Sequence, residues 1–224
     1  MKKTILVMAA AIAVSLTTNA QDLKTPTEKK FFGSISAGPA IPVGAFAAKS
    51  LEESEDAGLA KTGYQMNLQF GYQANSNFSV LLQTFYGRHT IDNTMFHEVG
   101  ANIDHWQYYG ILAGPALTVK AGKQQKTTFD FKTLVGWARV NSPLVSLAGS
   151  TVVQEEWADA MAIQAGIDIR YKLGGNLFLL GSTNYNYIRP KFNLKTNLGE
   201  PISQDKVEQK MGFMNINAGI GWRF

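Results

Sequence analysis

The chain has 224 residues, no cysteine, 21 glycines, 45% hydrophobic residues, and 21 Lys+Arg against 17 Asp+Glu, a net charge of +4. That length and apolar content suit one domain with a core of its own and exclude a disordered chain. Without cysteine there is no disulfide scaffold, thiolate metal site or Cys nucleophile, and no basic run offers a nucleic-acid surface.

Met1-Lys2-Lys3-Thr4 is a short basic start, Ile5–Leu16 an apolar run, and Thr18-Asn19-Ala20 a small-residue site. This order predicts a secretory signal peptide over 1–20, cleaved after Ala20. A membrane-crossing helix needs about 20 apolar residues, so the run is too short to span. Losing Lys2 and Lys3 with it lowers the net charge from +4 to +2. No Cys follows the cleavage site to take a lipid anchor, and residues 21–30 form a polar lead-in.

From residue 31 onward, apolar and polar side chains alternate, as they do along a strand whose successive side chains point to opposite faces. The first such segment is 31–43, followed by a long loop at 44–60 carrying the acidic run Leu51-Glu52-Glu53-Ser54-Glu55-Asp56. Next, Tyr64, Met66, Leu68, Phe70 and Tyr72 oppose Gln65, Asn67, Gln69 and Gly71. A tight turn at 73–77 leads into 77–88, and a long loop at 89–104 into 105–119. After a turn near 121–126, Phe129, Phe131, Val135 and Trp137 oppose Asp130, Lys132, Gly136 and Ala138. Past the loop at 141–157, Met161, Ile163, Ala165, Ile167, Ile169 and Tyr171 oppose Gln164, Gly166, Asp168 and Arg170. A turn at 173–176 precedes 177–189, a loop spans 190–209, and in 214–224 every even position is apolar.

Short turns at one end and long loops at the other predict an all-β fold, an eight-stranded antiparallel up-and-down transmembrane β-barrel over 31–224. It has four long extracellular loops and three short periplasmic turns. Closure removes the strand edges that lipid would not tolerate. A soluble barrel of the lipocalin kind would carry its apolar side chains inside. Here the polar faces are rich in Gly, Asn and Gln, which suits a narrow lumen, and the opposite faces carry large aromatics.

The face assignment sorts the aromatics into two girdles, as membrane interfaces require. Phe31, Tyr72, Phe78, Phe129, Tyr171 and Phe224 belong to the short-turn end. Tyr64, Tyr86, Tyr109, Trp137, Tyr185 and Tyr187 belong to the long-loop end. Past the second girdle, in the same outward register, come Arg88, Arg139, Arg189 and Lys210, a headgroup belt suited to lipopolysaccharide phosphates or to simple snorkelling into water. The inward charges are Asp130, Lys132, Asp168, Arg170 and Arg223, all near the short-turn end. They are expected to satisfy one another as a plug rather than to line a conduction path.

Candidate chemistry is sparse. His89, His97 and His105 are spaced eight apart in the second long loop, with Asp92, Glu98 and Asp104 nearby. The spacing matches no metal motif, so these read as solvated loop histidines and no metal or cofactor is expected. The acidic run has no EF-hand spacing. A lipid-modifying enzyme would need a base and a Ser nucleophile at the rim; no Ser lies close to His105 in its strand, and Ser142, Ser146 and Ser150 are loop residues. Asn77-Phe78-Ser79 fits a glycosylation sequon but falls on a turn and a strand.

The run Phe32-Gly33-Ser34-Ile35-Ser36-Ala37-Gly38-Pro39-Ala40-Ile41-Pro42-Val43-Gly44 resembles the opening segment of porin-like barrel domains. Gly71-Tyr72 with the Asn-containing turn after it is similar to their junctions. The end, with Ile220, Trp222 and Phe224 at alternate places, is similar to the C-terminal signal that the barrel-assembly machinery reads. Residues 31–224 thus resemble the small outer-membrane barrels of the OmpA transmembrane domain and OmpX type. That resemblance implies a monomer in the outer membrane of a Gram-negative bacterium, in contact with lipid and lipopolysaccharide. The family includes adhesins, structural barrels and enzymes, so membership alone does not fix a role. With no catalytic constellation in view, the expected role is non-enzymatic, structural or surface-interacting. A narrow porin and a lipid-modifying enzyme are the alternatives. Pro39, Pro42 and Pro115 interrupt otherwise regular strands and call for bulges, strand ends or local irregularity.

Overall fold

The computed structural model describes residues 30–50, 56–93, 100–122, 124–201 and 206–224. The expected signal peptide, the lead-in up to residue 29, residues 51–55 of the acidic run, and His97 and Glu98 lie outside them. In chain order the strands are β1 (Phe31–Val43), β2 (Gly63–Gln73), β3 (Phe78–His89), β4 (Ala101–Ile103), β5 (Trp106–Ala121), β6 (Thr127–Asn141) and β7 (Val145–Leu147). Then follow β8 (Ser150–Val153), β9 (Trp157–Gly174), β10 (Leu177–Ile188), β11 (Lys191–Phe192), β12 (Val207–Glu208) and β13 (Met211–Arg223).

Eight of these close into one antiparallel barrel in the order β1-β13-β10-β9-β6-β5-β3-β2. Every barrel strand pairs with its neighbour along the chain, and β13 returns to β1, with Phe32 opposite Arg223 and Val43 opposite Gly212. Strands 11 to 18 residues long match or exceed the roughly 9–11 that a tilted strand needs to cross the hydrocarbon layer.

The expected faces hold along each strand. Met66, Leu68 and Phe70 of β2, Ile163, Ile167 and Ile169 of β9, and Met214, Ile216 and Ile220 of β13 all point outward and are exposed. Gln65, Asn67, Gln69, Gln164, Asp168, Asn215 and Asn217 are buried on the inside. An apolar exterior around a polar interior is the reverse of a water-soluble barrel and is what lipid as solvent selects.

The prolines are accommodated without a change of register. Pro39 pairs in line with Tyr64 and Pro115 with Val80. On their other sides the ladder skips Gly38–Pro39 and Gly114–Pro115 and resumes in the same register. Proline has no N–H for that second neighbour, so a two-residue gap replaces the bulge. Pro42 falls at the strand end, opposite Phe213.

The described parts of the long loops carry more regular structure than polar composition suggests. Gly44–Phe46 forms a 3-10 turn, β11 pairs with β12, and β4, β7 and β8 make a three-stranded sheet. That sheet joins the second loop to the third through Ala101–Leu147 and Ile103–Val145. Bridges at Ala60–Ile91 and Val153–Thr196 join the first loop to the second and the third to the fourth. The ring closes where Gln209 Nε2 donates to the Asp56 carbonyl at 2.8 Å.

Candidate functional site

Polar and charged side chains on period-2 strands converge in the lumen, which divides into bands by depth. Near the short-turn end, β6 contributes Asp130 and Lys132, and β9 contributes Asp168 and Arg170, on neighbouring strands of the ladder. Arg170 grips Asp130 with two parallel bonds, Nε at 2.6 Å and Nη2 at 2.8 Å. Thr118 donates to the same carboxylate at 2.7 Å. Lys132 Nζ lies 2.8 Å from Asp168 and also donates to Gln69 Oε1 at 3.0 Å and Gln83 Oε1 at 3.3 Å. All four charged side chains are almost fully buried. Each of the two buried cations has a neighbouring carboxylate beside it, as burial of a charge demands. Arg223, half-buried at the end of β13, belongs to neither of these two pairs. The two glutamines that tie Lys132 to the opposite wall are not singled out by sequence reasoning, although their inward parity is visible there.

Above the ion pairs lies an amide band. Gln65 donates to Asn67 at 2.7 Å and Gln164 to Asn186 at 2.8 Å. Several amide atoms here, including Asn215 Oδ1 and Nδ2 and Asn217 Oδ1, have no partner among the described residues. Higher still is an aromatic lid of Phe46, His89, Trp106, Tyr108, Phe192 and Phe213, all buried. Trp106 Nε1 donates to the Gly58 carbonyl at 2.9 Å, which anchors the first loop over the barrel.

His89 corrects an expectation. It is no solvated loop histidine but the last residue of β3, fully buried on the inner face. Nδ1 lies 3.0 Å from the Lys61 carbonyl, which can only accept, so Nδ1 carries the proton. Nε2 then accepts from the Tyr108 hydroxyl at 3.2 Å. Phe46 and Phe213 meet the ring edge-on at 5.0 and 5.3 Å. His97 and Glu98 lie outside the described residues, and with His89 enclosed in the lid, His105 is the member left at the rim. It contacts Asp104 and, at 2.7 Å, Arg88.

All four belt cations face outward, each beside a partner. Arg139 is 3.8 Å from Asp159, Lys210 Nζ 2.6 Å from Asp56, and Arg189 hydrogen-bonds Glu208. Arg88 meets His105. The Arg189 bond holds the Glu208 carboxyl below its usual range, with Lys191 adding to the effect. The bond to Asp56 raises Lys210 above the usual ammonium range. Both groups lie outside the spanning strands. Ile220 and Trp222 point outward on β13, and Phe224 continues their line to stack on Phe31 with ring centres 6.3 Å apart.

No family model and no curated protein matches the chain. Among solved structures it is similar to Ail, the attachment invasion locus protein of Yersinia pestis, with a TM-score of 0.52 at 18% identity. That match covers 86% of this chain and 99% of that one. It is also similar to a major outer membrane protein from Thermus thermophilus, with a TM-score of 0.53 at 11% identity, covering 87% and 99%. At such identities the likeness is one of fold, and it agrees with the closed ladder and the apolar exterior. The chain has the fold of the small eight-stranded outer-membrane β-barrels of the OmpA and OmpX type.

Proposed function

We propose that this chain is an integral outer-membrane barrel with a structural or surface-interacting role, not an enzyme. Its signal peptide is removed on export, and its four long loops face the cell exterior. One observation carries the reading: the lumen is packed with ion pairs and an aromatic lid, beneath loops tied into a single ring. A rigid scaffold that presents a joined loop layer is suited to recognition, because loops carry function where the scaffold fixes them. Leu147, Val152 and Leu198 stand exposed on that layer. Ail is named for attachment and invasion, and a contact role at the loop layer is the corresponding proposal here.

Lipopolysaccharide is the proposed neighbour of Arg88, Arg139, Arg189 and Lys210, its phosphates competing with the carboxylates that now hold three of them. Arg forks bind phosphate bidentately, which favours this exchange over bare snorkelling. Replacing Arg88, Arg139 and Arg189 by Glu should lower the lipopolysaccharide that co-purifies with the folded barrel; an unchanged yield removes the specific belt. The main test combines outer-membrane fractionation, gel mobility before and after boiling, and planar-bilayer recording. A heat-dependent mobility shift without steady conductance is the expected result. Discrete conductance steps would replace this reading by the narrow porin, and an altered lipid A profile lost in His105→Ala by the enzyme.

A further inference from the structure

At the short-turn end the lumen opens into a cavity of about 370 Å³ lined by Lys120, Lys126, Thr128, Arg170, Lys172 and Arg223. The strand register builds it. Lys120, Thr128 and Arg170 are direct partners across β5, β6 and β9, one inward row of the ladder. Closer to the turns, Lys172 stands opposite Phe178. Its backbone N–H donates to the Lys126 carbonyl at 2.8 Å, which brings the second lysine alongside. Arg223 is held at the rim by its N–H on the Asn176 carbonyl at 2.9 Å. No acidic side chain lines the cavity among the described residues.

The second observation lies at the wall. Arg170 is 2% exposed, with Nε and Nη2 committed to Asp130 and the Phe32 ring 4.2 Å from its guanidinium carbon. Its remaining nitrogen, Nη1, is buried and has no hydrogen-bond partner among the described residues. Native proteins seldom leave a buried cationic donor unsatisfied, and each such group calls for an explanation, a ligand among them. The ion pairs already balance Lys132, Asp168, Asp130 and Arg170, so Lys126 and Lys172 at the mouth are charge beyond what the plug uses.

We propose that this mouth is a binding site for a phosphate-type anion, with Arg170 Nη1 and the Thr128 hydroxyl at its base and Lys126 and Lys172 closing on it. Guanidinium and ammonium donors on one oxyanion make strong charge-assisted bonds. The volume is at the small end of ligand pockets, enough for a diphosphate or a single headgroup. The phosphate has two possible sources. One is a soluble phosphorylated compound entering from the periplasm, and the other is the headgroup of an anionic phospholipid lying against the lower girdle.

The test uses the full chain in dodecyl maltoside, which carries no phosphate. Arg170 Nε–H is followed by nitrogen-15 NMR while sodium pyrophosphate, and separately dihexanoyl phosphatidylglycerol, is added at constant ionic strength. A saturable shift at Arg170 is expected, with affinity lowered about tenfold in K126Q/K172Q. Both lysines are exposed, and the heat-dependent gel mobility of that variant verifies its folding. Saturation by pyrophosphate assigns a soluble anion, and saturation by the lipid alone assigns a headgroup. No shift with either probe overturns the proposal, as does a shift that fails to saturate or is unchanged in K126Q/K172Q.

Discussion

Lys132 and Asp168 lie 2.8 Å apart with both side chains almost fully buried, so each is the condition for the other. Removing one partner of such a pair leaves an uncompensated charge and costs about 3–5 kcal/mol. Lys132→Met should therefore lose that much in urea titrations followed by tryptophan fluorescence. K132M/D168L should cost less than the single substitution, because the orphaned charge is gone. A double variant as unstable as the sum of its parts would mean the two charges are not coupled and would overturn this account. At the long-loop end, the effect of pH runs through Glu208. Its carboxyl is depressed by Arg189, so the tie is present above the ordinary glutamate range and is lost as pH falls through the lower folded value. Amide exchange at β12 should rise below that range and show no such step in Glu208→Gln.

At the scale of elements, four lumenal aromatics follow a rule: each lies across the ladder from a glycine. Phe32 faces Gly71, Phe85 faces Gly110, Tyr108 faces Gly87, and Phe178 faces Gly221. A Cβ on Gly71 would stand 2.0 Å from Phe32 Cζ, and one on Gly221 2.2 Å from Phe178 Cζ. The missing side chain is the space the ring fills, which packs a narrow barrel without voids. Gly71→Ala should displace Phe32 at a cost of about 1–3 kcal/mol. Gly181→Ala, which meets nothing within 4 Å, should stay within about 0.5 kcal/mol; urea midpoints compare the two. The parity of these glycines is readable in the sequence, but their partners depend on register. His89 shows the same division: it continues the odd-numbered inward series Ser79, Leu81, Gln83, Phe85 and Gly87. In sequence it reads as the start of a loop, because the outward neighbours stop being apolar there.

For the whole molecule, the decisive property is the inversion of inside and outside. Ile167 is well inside β9 on the lipid face, and Ile167→Arg should cost about 2–4 kcal/mol in vesicles. Tyr187→Arg, at the girdle beside Arg189, should cost nearly nothing by comparison. Equal costs at the two depths would remove the membrane from the explanation. Insertion also explains why so many large apolar side chains are exposed on a single chain, which in water would be an aggregation surface.

The number of barrel strands, their approximate limits, the direction of each face and the two girdles were all determined by the sequence. Lipid on one side and a cramped polar lumen on the other constrain every second residue, and a period of two is a local signal. The pairing of Lys132 with Asp168, the lid around His89, the ring of loops and the basic mouth were decided only by the tertiary structure. Each joins residues from strands or loops far apart in the chain, and which of them meet depends on register, shear and closure, which no single strand carries.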